Sequence, residues 1–141
     1  MTTVANARRL LDDLREDFAA YRRLAEMLDA QFEAALRIDF EALRAFATAI
    51  GSEVERIAAR RETRVSQIGA QPGGAVRLAE RVFPGPERAL QRATLIGRCN
   101  EIEMLIGECK ARATRNGNLL GSQFEAMQRL VNGERHTYVP A

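Results

Sequence analysis

The residues whose types could do chemistry are Cys99, Cys109, His136 and the acidic quartet Asp12, Asp13, Glu16 and Asp17. Catalysis needs a nucleophile beside a base, paired carboxylates in a pocket, or a metal cluster. On one helix the two cysteines would stand about 15 Å apart, well beyond the roughly 7 Å that a disulfide spans. With a single histidine they also lack the paired ligand spacing of a zinc site. They read as buried, reduced thiols. His136 lies near the C-terminus beside Arg135 and Tyr138, remote in sequence from any base or nucleophile. The quartet falls in helical register and is expected on a solvated face near a helix N-terminus, where the dipole favours negative charge. Gly73-Gly74 precedes no phosphate-binding Lys-Ser/Thr pair. The sequence reads as non-enzymatic, with no metal and no cofactor.

The elements that carry these residues follow from composition and period. A chain of 141 residues accommodates one domain. Hydrophobic residues make up 46% and charged residues 28%, too apolar a mixture for a disordered chain. Trp is absent and aromatics are 6%, so the core must rest on Leu, Ile, Ala, Val and a few Phe, a palette suited to helix-on-helix packing. The 21 basic residues, 20 of them Arg, are balanced by 19 acidic ones and interspersed with them. The densest basic run, Arg56 to Arg64, is interrupted by Glu62 and reads as a solvated face rather than a nucleic-acid patch. Met1-Thr2-Thr3 leads into an acid-rich segment, unlike a secretory signal. No run of 18 apolar residues could span a membrane. The expected location is cytoplasmic, without nucleic-acid binding or membrane insertion.

Ala7, Leu11, Leu14, Phe18, Tyr21, Ala25, Leu28, Phe32 and Ala35 recur in steps of four and three, which predicts a first helix over Thr3 to Arg37 with a heptad seam. Leu10, Leu24 and Leu36 widen that stripe toward bundle packing. Asp39 is placed to cap a second helix, with Ile38 and Leu43 spaced as a hydrophobic staple. Its seam is expected at Leu43, Ala47, Ile50, Val54, Ile57, Val65 and Ile68, weakened where Arg61 falls on it. Gly51 would mark a close crossing. Gln71-Pro72-Gly73-Gly74 ends this helix, Ala75 to Val82 could form two turns, and Pro86 fits the first position of the next helix. The last helix is expected from Pro86 or Glu87 to Val131, its seam running Leu95, Cys99, Ile102, Ile106, Cys109, Ala113, Asn116, Leu120, Phe124, Met127, Val131. Asn132-Gly133 should stop it. The expected fold is all-α: an elongated antiparallel helical bundle of three long helices plus a short connecting helix. Residues 1–133 form a single domain and 134–141 a flexible C-terminal tail.

Asn116 followed by Gly117 puts an amide and a missing side chain on the seam of the longest helix. One reading makes Asn116 a register-fixing residue and Gly117 the place of a close neighbour. The other makes this a weakened stretch whose exposed Leu119, Leu120, Phe124 and Met127 accept an amphipathic helix from a partner. Methionine suits such a surface because its thioether adapts to its ligand.

Arg115-Asn116-Gly117-Asn118-Leu119-Leu120, then Gln123, a helix end and a short tail with Thr137-Tyr138, resembles the C-terminal signature of FlgN-type flagellar export chaperones. The motif covers roughly 30 residues, and the long N-terminal hairpin and long last helix fit the same pattern. The resemblance implies a cytoplasmic, non-catalytic chaperone. Such a protein binds the C-terminal helical segments of the hook–filament junction proteins FlgK and FlgL, prevents their premature assembly and delivers them to the flagellar type III export apparatus. It also implies a partner-binding surface of Asn116, Gly117, Leu119, Leu120, Gln123, Phe124, Met127 and Leu130. Tyr138 would then dock at the export gate and its ATPase complex components. Two positions depart from the family pattern: Ala113 stands where another Asn is common, and Val139-Pro140-Ala141 follows the tail tyrosine. The alternative is a self-associating coiled-coil scaffold or adaptor without chaperone activity. Sequence alone leaves open whether the chain is a monomer or a dimer.

Overall fold

A computed structural model describes the backbone of residues 3–68 and 74–138 and the side chains of 7–66 and 74–133. The sequence features at Gln71-Pro72-Gly73, Ile68 (side chain), His136 (side chain), Tyr138 (side chain) and Val139-Pro140-Ala141 lie outside the described residues. The elements are α1 (Thr3–Leu36), α2 (Phe40–Ile68), the short α3 (Gly74–Val82), a 3-10 turn at Pro86–Arg88 and α4 (Ala89–Tyr138). All described regular structure is helical, and the three long helices alternate in direction, as expected for the antiparallel bundle.

α1 ends in a tight reversal. The Ile38 N–H donates to the Ala35 carbonyl at 3.1 Å and the Asp39 N–H to the Ala34 carbonyl at 3.0 Å. These two bonds close a Schellman motif, which satisfies carbonyls the helix end would otherwise orphan. Asp39 then caps α2, its Oδ1 accepting from the Ala42 N–H at 3.1 Å. The expected staple does not close over this cap, because Ile38 points to solvent.

The bundle is built around α1, which packs against both α2 and α4, whereas α2 and α4 do not pack on each other among the described residues. On α1, Asp17 and Arg23 reach α2, and Tyr21, Leu28, Gln31 and Ala35 meet α4. The α1–α4 register is constant and parallel. Cys109 Sγ donates to the Tyr21 carbonyl, Asn116 to that of Leu28 and Gln123 to that of Ala35, each pair 88 residues apart. Buried Leu95, Ile102, Cys109 and Asn116 fall at seven-residue steps, the spacing of a coiled-coil seam.

Two core clusters result. One gathers Ala7, Leu10, Leu14, Leu95 and Ile102 under Ala79 of α3 and Phe83. Arg92 helps close that end by donating to the Phe83 carbonyl at 2.7 Å. The other joins Ala20, Leu24, Ala25 and Leu28 to Ile57 and Cys109.

Several expected positions are corrected. On α2, Ile50 and Ile57 face α1 as expected, but between and beyond them the inward residue is one position earlier: Glu53, Arg60 and Arg64 turn inward while Ala47, Val54, Arg61 and Val65 are exposed. Leu36 is exposed rather than widening the stripe. Gly51 marks no close crossing, since a Cβ there would meet nothing within 4 Å. The helix α4 does not stop at Asn132-Gly133 but continues to Tyr138. A right-handed helical glycine costs about 1 kcal/mol relative to Ala, too little to end a helix by itself.

Asp17 is the largest revision. It is 3% exposed, not on a solvated face. Its Oδ1 accepts from Arg60 Nε at 2.9 Å and its Oδ2 from Arg64 Nη1 at 2.8 Å. One heptad away, Glu53 is held the same way by Arg23 at 2.9 Å and Arg56 at 2.6 Å. The α1–α2 interface is therefore ionic where the apolar pattern of α2 gives out.

Candidate functional site

The motif around Asn116 makes a polar clamp on α1. Asn116 is 2% exposed, and its Nδ2 donates to the Leu28 carbonyl at 2.7 Å and to Gln31 Oε1 at 2.8 Å. Arg115 Nε donates to Asn116 Oδ1 at 3.1 Å, filling the acceptor side of the same amide. The Arg115 guanidinium also stacks 4.1 Å over the Phe32 ring and bonds Asp29 Oδ1 at 3.1 Å. Arg112 reaches the same Asp29 oxygen at 3.0 Å, and Glu108, one helical turn earlier on α4, at 3.4 Å.

Partial burial works to raise the Asp29 pKa, but the hydrogen bonds from Arg115 and Arg112 outweigh it and hold the carboxyl below its ordinary value. Burial raises both thiols, Cys99 and Cys109, above the usual range, which keeps them protonated and unreactive. Among the described residues no group of three His, Cys, Asp or Glu is placed to hold a metal.

Gln123 continues the clamp one heptad on, donating to the Ala35 carbonyl at 2.9 Å. Beyond it α1 has ended. The constant register sets Leu36 level with Phe124, so residues 125–138 of α4 extend about 20 Å past the end of α1. On the line that meets α1 through Cys109, Asn116 and Gln123, the next side chain, Leu130, is 66% exposed and Met127 beside it is open. Phe124, 61% exposed, and Val131 fall one position off that line, where Lys110 and Gly117 are exposed even beside α1. Phe124, Met127, Gln128, Val131 and Asn132 line a shallow groove on this stretch.

The structure thus divides the expected surface. Asn116 and Gln123 are engaged with α1, Leu119 and Leu120 are half-buried, and Phe124, Met127 and Leu130 are exposed. Gly117 is exposed and admits no close neighbour, a Cβ there meeting nothing within 4 Å. Sequence reasoning passed over Arg115, whose bonds to both Asn116 and Asp29 anchor the clamp. The signal was its placement next to an amide on the seam. It also passed over Leu36, Ile38 and Phe40, which are exposed at the same end of the bundle.

An all-helical bundle whose longest helix runs bare past its neighbour has the architecture of a helix-binding protein. The family comparison makes that class specific. The family model described as FlgN protein matches residues 1–136, nearly the whole chain, and the chain belongs to this family. It is thus a non-enzymatic, cytoplasmic flagellar export chaperone for the hook-associated proteins FlgK and FlgL. Comparison with curated proteins and with solved structures returns no match. Among the described residues no helix is long and apolar enough to cross a membrane.

Proposed function

We propose that the chaperone holds its FlgK and FlgL substrates on the bare C-terminal stretch of α4. Phe124, Met127 and Leu130 form the contact face, joined by Val131. Leu119 and Leu120 flank its inner end. Asn116, Gly117 and Gln123 belong to the site as its inner boundary, the two amides fixing where α1 stops covering α4. The observation that carries the reading is the overhang itself: an apolar stripe of heptad spacing that continues past the end of the helix it packs on. A substrate's amphipathic C-terminal helix presents the matching face, and burying it there removes about 25 cal/mol per Å2 of apolar surface from water.

Delivery is part of the same proposal. Residues 1–133 act as the binding body and 134–141 as its tail, with Tyr138 contacting the export gate and ATPase complex components. The family signature supports this role for Tyr138.

Hydrogen exchange on the full-length protein tests the binding surface. Adding a C-terminal FlgK peptide should protect backbone amides of residues 119–131 and leave the far part of α2, residues 50–66, unchanged. Protection elsewhere, with none on 119–131, refutes the assignment. For delivery, Tyr138→Ala should retain peptide affinity while secretion of FlgK falls. Unchanged secretion removes Tyr138 from the mechanism.

A further inference from the structure

The α1–α2 turn contains a residue that its backbone does not favour. Ile38 has φ +54°, the left-handed region where a Schellman motif usually places Gly or Asn. A β-branched side chain is strained there. Burial does not compensate, because Ile38 is 58% exposed. Leu36 and Phe40, two residues to either side, are exposed as well. Three large apolar side chains on one short turn, one of them held against its conformational preference, contribute little to the folded chain itself. Strain and exposed apolar surface of this kind concentrate at binding sites.

The position of the turn matters as much as its composition. The Gln123 amide donates to the Ala35 carbonyl at 2.9 Å, which ties the turn to the point where α4 loses α1 as a neighbour. The apolar stripe of α4 begins immediately afterwards at Phe124. The exposed apolar residues of the turn and those of α4 therefore lie at the same end of the bundle.

We propose that Leu36, Ile38 and Phe40 form a second wall of the substrate site, and that its occupant is the apolar face of the substrate's amphipathic helix. That helix lies along α4 where α1 would have continued, with one end against the turn. The inference rests on the reading of the α4 stripe as the substrate surface. Three features favour this occupant. The stretch whose side chains are bare, residues 124–133, is about 15 Å long, nearly three helical turns, room for a short helix. Its apolar spacing continues the seam that α1 itself fills, so a helix of similar patterning fits the vacated line. The rim carries both signs, with Arg37, Asp39 and Glu41 on the turn and Glu125 and Arg129 on α4. Such a rim favours selection by apolar pattern rather than by net charge.

The test uses the full-length chaperone, a C-terminal FlgK peptide, and three measurements: calorimetric titration, thermal melting and sedimentation. Asparagine tolerates the left-handed region, so Ile38→Asn combined with Phe40→Ser should melt no lower than the parent. The double variant should bind the peptide at least ~10-fold more weakly. Ile38→Gly, which relieves strain and removes the side chain, should weaken binding in the same direction. Parent-level affinity in the double variant, alongside lost binding in Phe124→Asp, overturns the second wall while leaving the α4 stripe in place. Parent-level affinity in all the variants overturns the stripe reading and this inference with it. If the double variant dissociates a dimer of the parent without changing peptide affinity, the turn is covered by a second copy and the proposal is refuted.

Discussion

Asn116 on α4 donates its amide to the Leu28 carbonyl of α1 at 2.7 Å, inside a seam otherwise built from Leu, Ile, Ala and Cys. Its second proton goes to Gln31 and its oxygen accepts from Arg115, so the buried amide is satisfied on both sides. A polar residue at such a layer costs stability relative to a hydrophobe but penalises every register that would strand it. This layer, with the Gln123 bond one heptad on, fixes where α1 and α4 align, and hence how much of α4 protrudes.

Asn116→Ala should lower stability by about 1–2 kcal/mol, through lost hydrogen bonds and the small void left behind. Asn116→Leu should restore most of that loss while relaxing the register. Urea denaturation gives the first comparison. Amide exchange along residues 119–131 gives the second, since a slipped register changes which part of α4 is covered.

Asp17 supplies a different case. Replacing it with Ala strands Arg60 and Arg64, each only partly exposed, and should cost about 2–4 kcal/mol. The cluster is not fully satisfied even in the parent, because Arg60 Nη2 is enclosed without a partner among the described residues. The triple variant Asp17→Leu, Arg60→Met, Arg64→Met should therefore recover the loss and can exceed the parent by about 1 kcal/mol. Chemical denaturation of the single and triple variants distinguishes an ionic cluster that stabilises from one that merely tolerates its own burial.

These two residues show what was legible. The α1 and α4 seams could be read because Ala7, Leu14, Leu28, Leu95, Ile102 and Cys109 are apolar at heptad spacing, and the pattern itself carries the physics. The polarity of Asp17 predicts exposure, whereas its position predicts burial: Leu10 and Leu24 lie seven residues to either side and are both buried. On α2 the apolar pattern favours Val54 over Glu53, and the four-three spacing counted from it puts Arg61 rather than Arg60 on the seam. The bare stripe of α4 was visible as apolar residues, but not as exposed ones. Exposure at Leu130 depends on the α1–α4 register and on α1 ending at Leu36, and neither is a property of the local sequence.

Acid should weaken the bundle through its clamped carboxylates. Burial opposes the charge of Asp29 and Glu53, yet the hydrogen bonds from Arg115 and Arg112, and from Arg56 and Arg23, hold both pKa values below the ordinary range. A depressed folded pKa contributes stability above the unfolded value, about 4. That contribution is lost as pH falls through the folded value. Asp13 works in the opposite sense: burial raises its pKa, so its protonation on acidification favours the fold. In urea titrations, the combined Asp29→Asn and Glu53→Gln variant should be less stable than the parent at neutral pH. The gap should close as pH drops below about 4. A gap independent of pH would show that these carboxylates act through shape rather than charge.

Ile38→Gly should raise stability by about 1 kcal/mol, the relief of a left-handed β-branched residue less the added entropy of the unfolded chain. The Schellman bonds from residues 38 and 39 need no side chain at position 38 and persist. A melting temperature several degrees above the parent is the expected result; a lower one would mean that the exposed isoleucine packs on something in the free protein.

Phe124→Asp separates core from contact surface on α4. If Phe124 were core, an aspartate there would leave an unpaired buried charge and cost several kcal/mol. At 61% exposure the substituted carboxylate stays hydrated, and the change in stability should remain within about 0.5 kcal/mol. Binding should respond quite differently. A substrate helix laid on this stripe would have to desolvate the new charge against its own apolar face, and affinity for the FlgK peptide should fall by at least about 2 kcal/mol, some thirtyfold. Melting and titration of the same preparation give both numbers. A large drop in stability with proportionate loss of binding would return Phe124 to the core, and the substrate would then have to be sought on another face of the bundle.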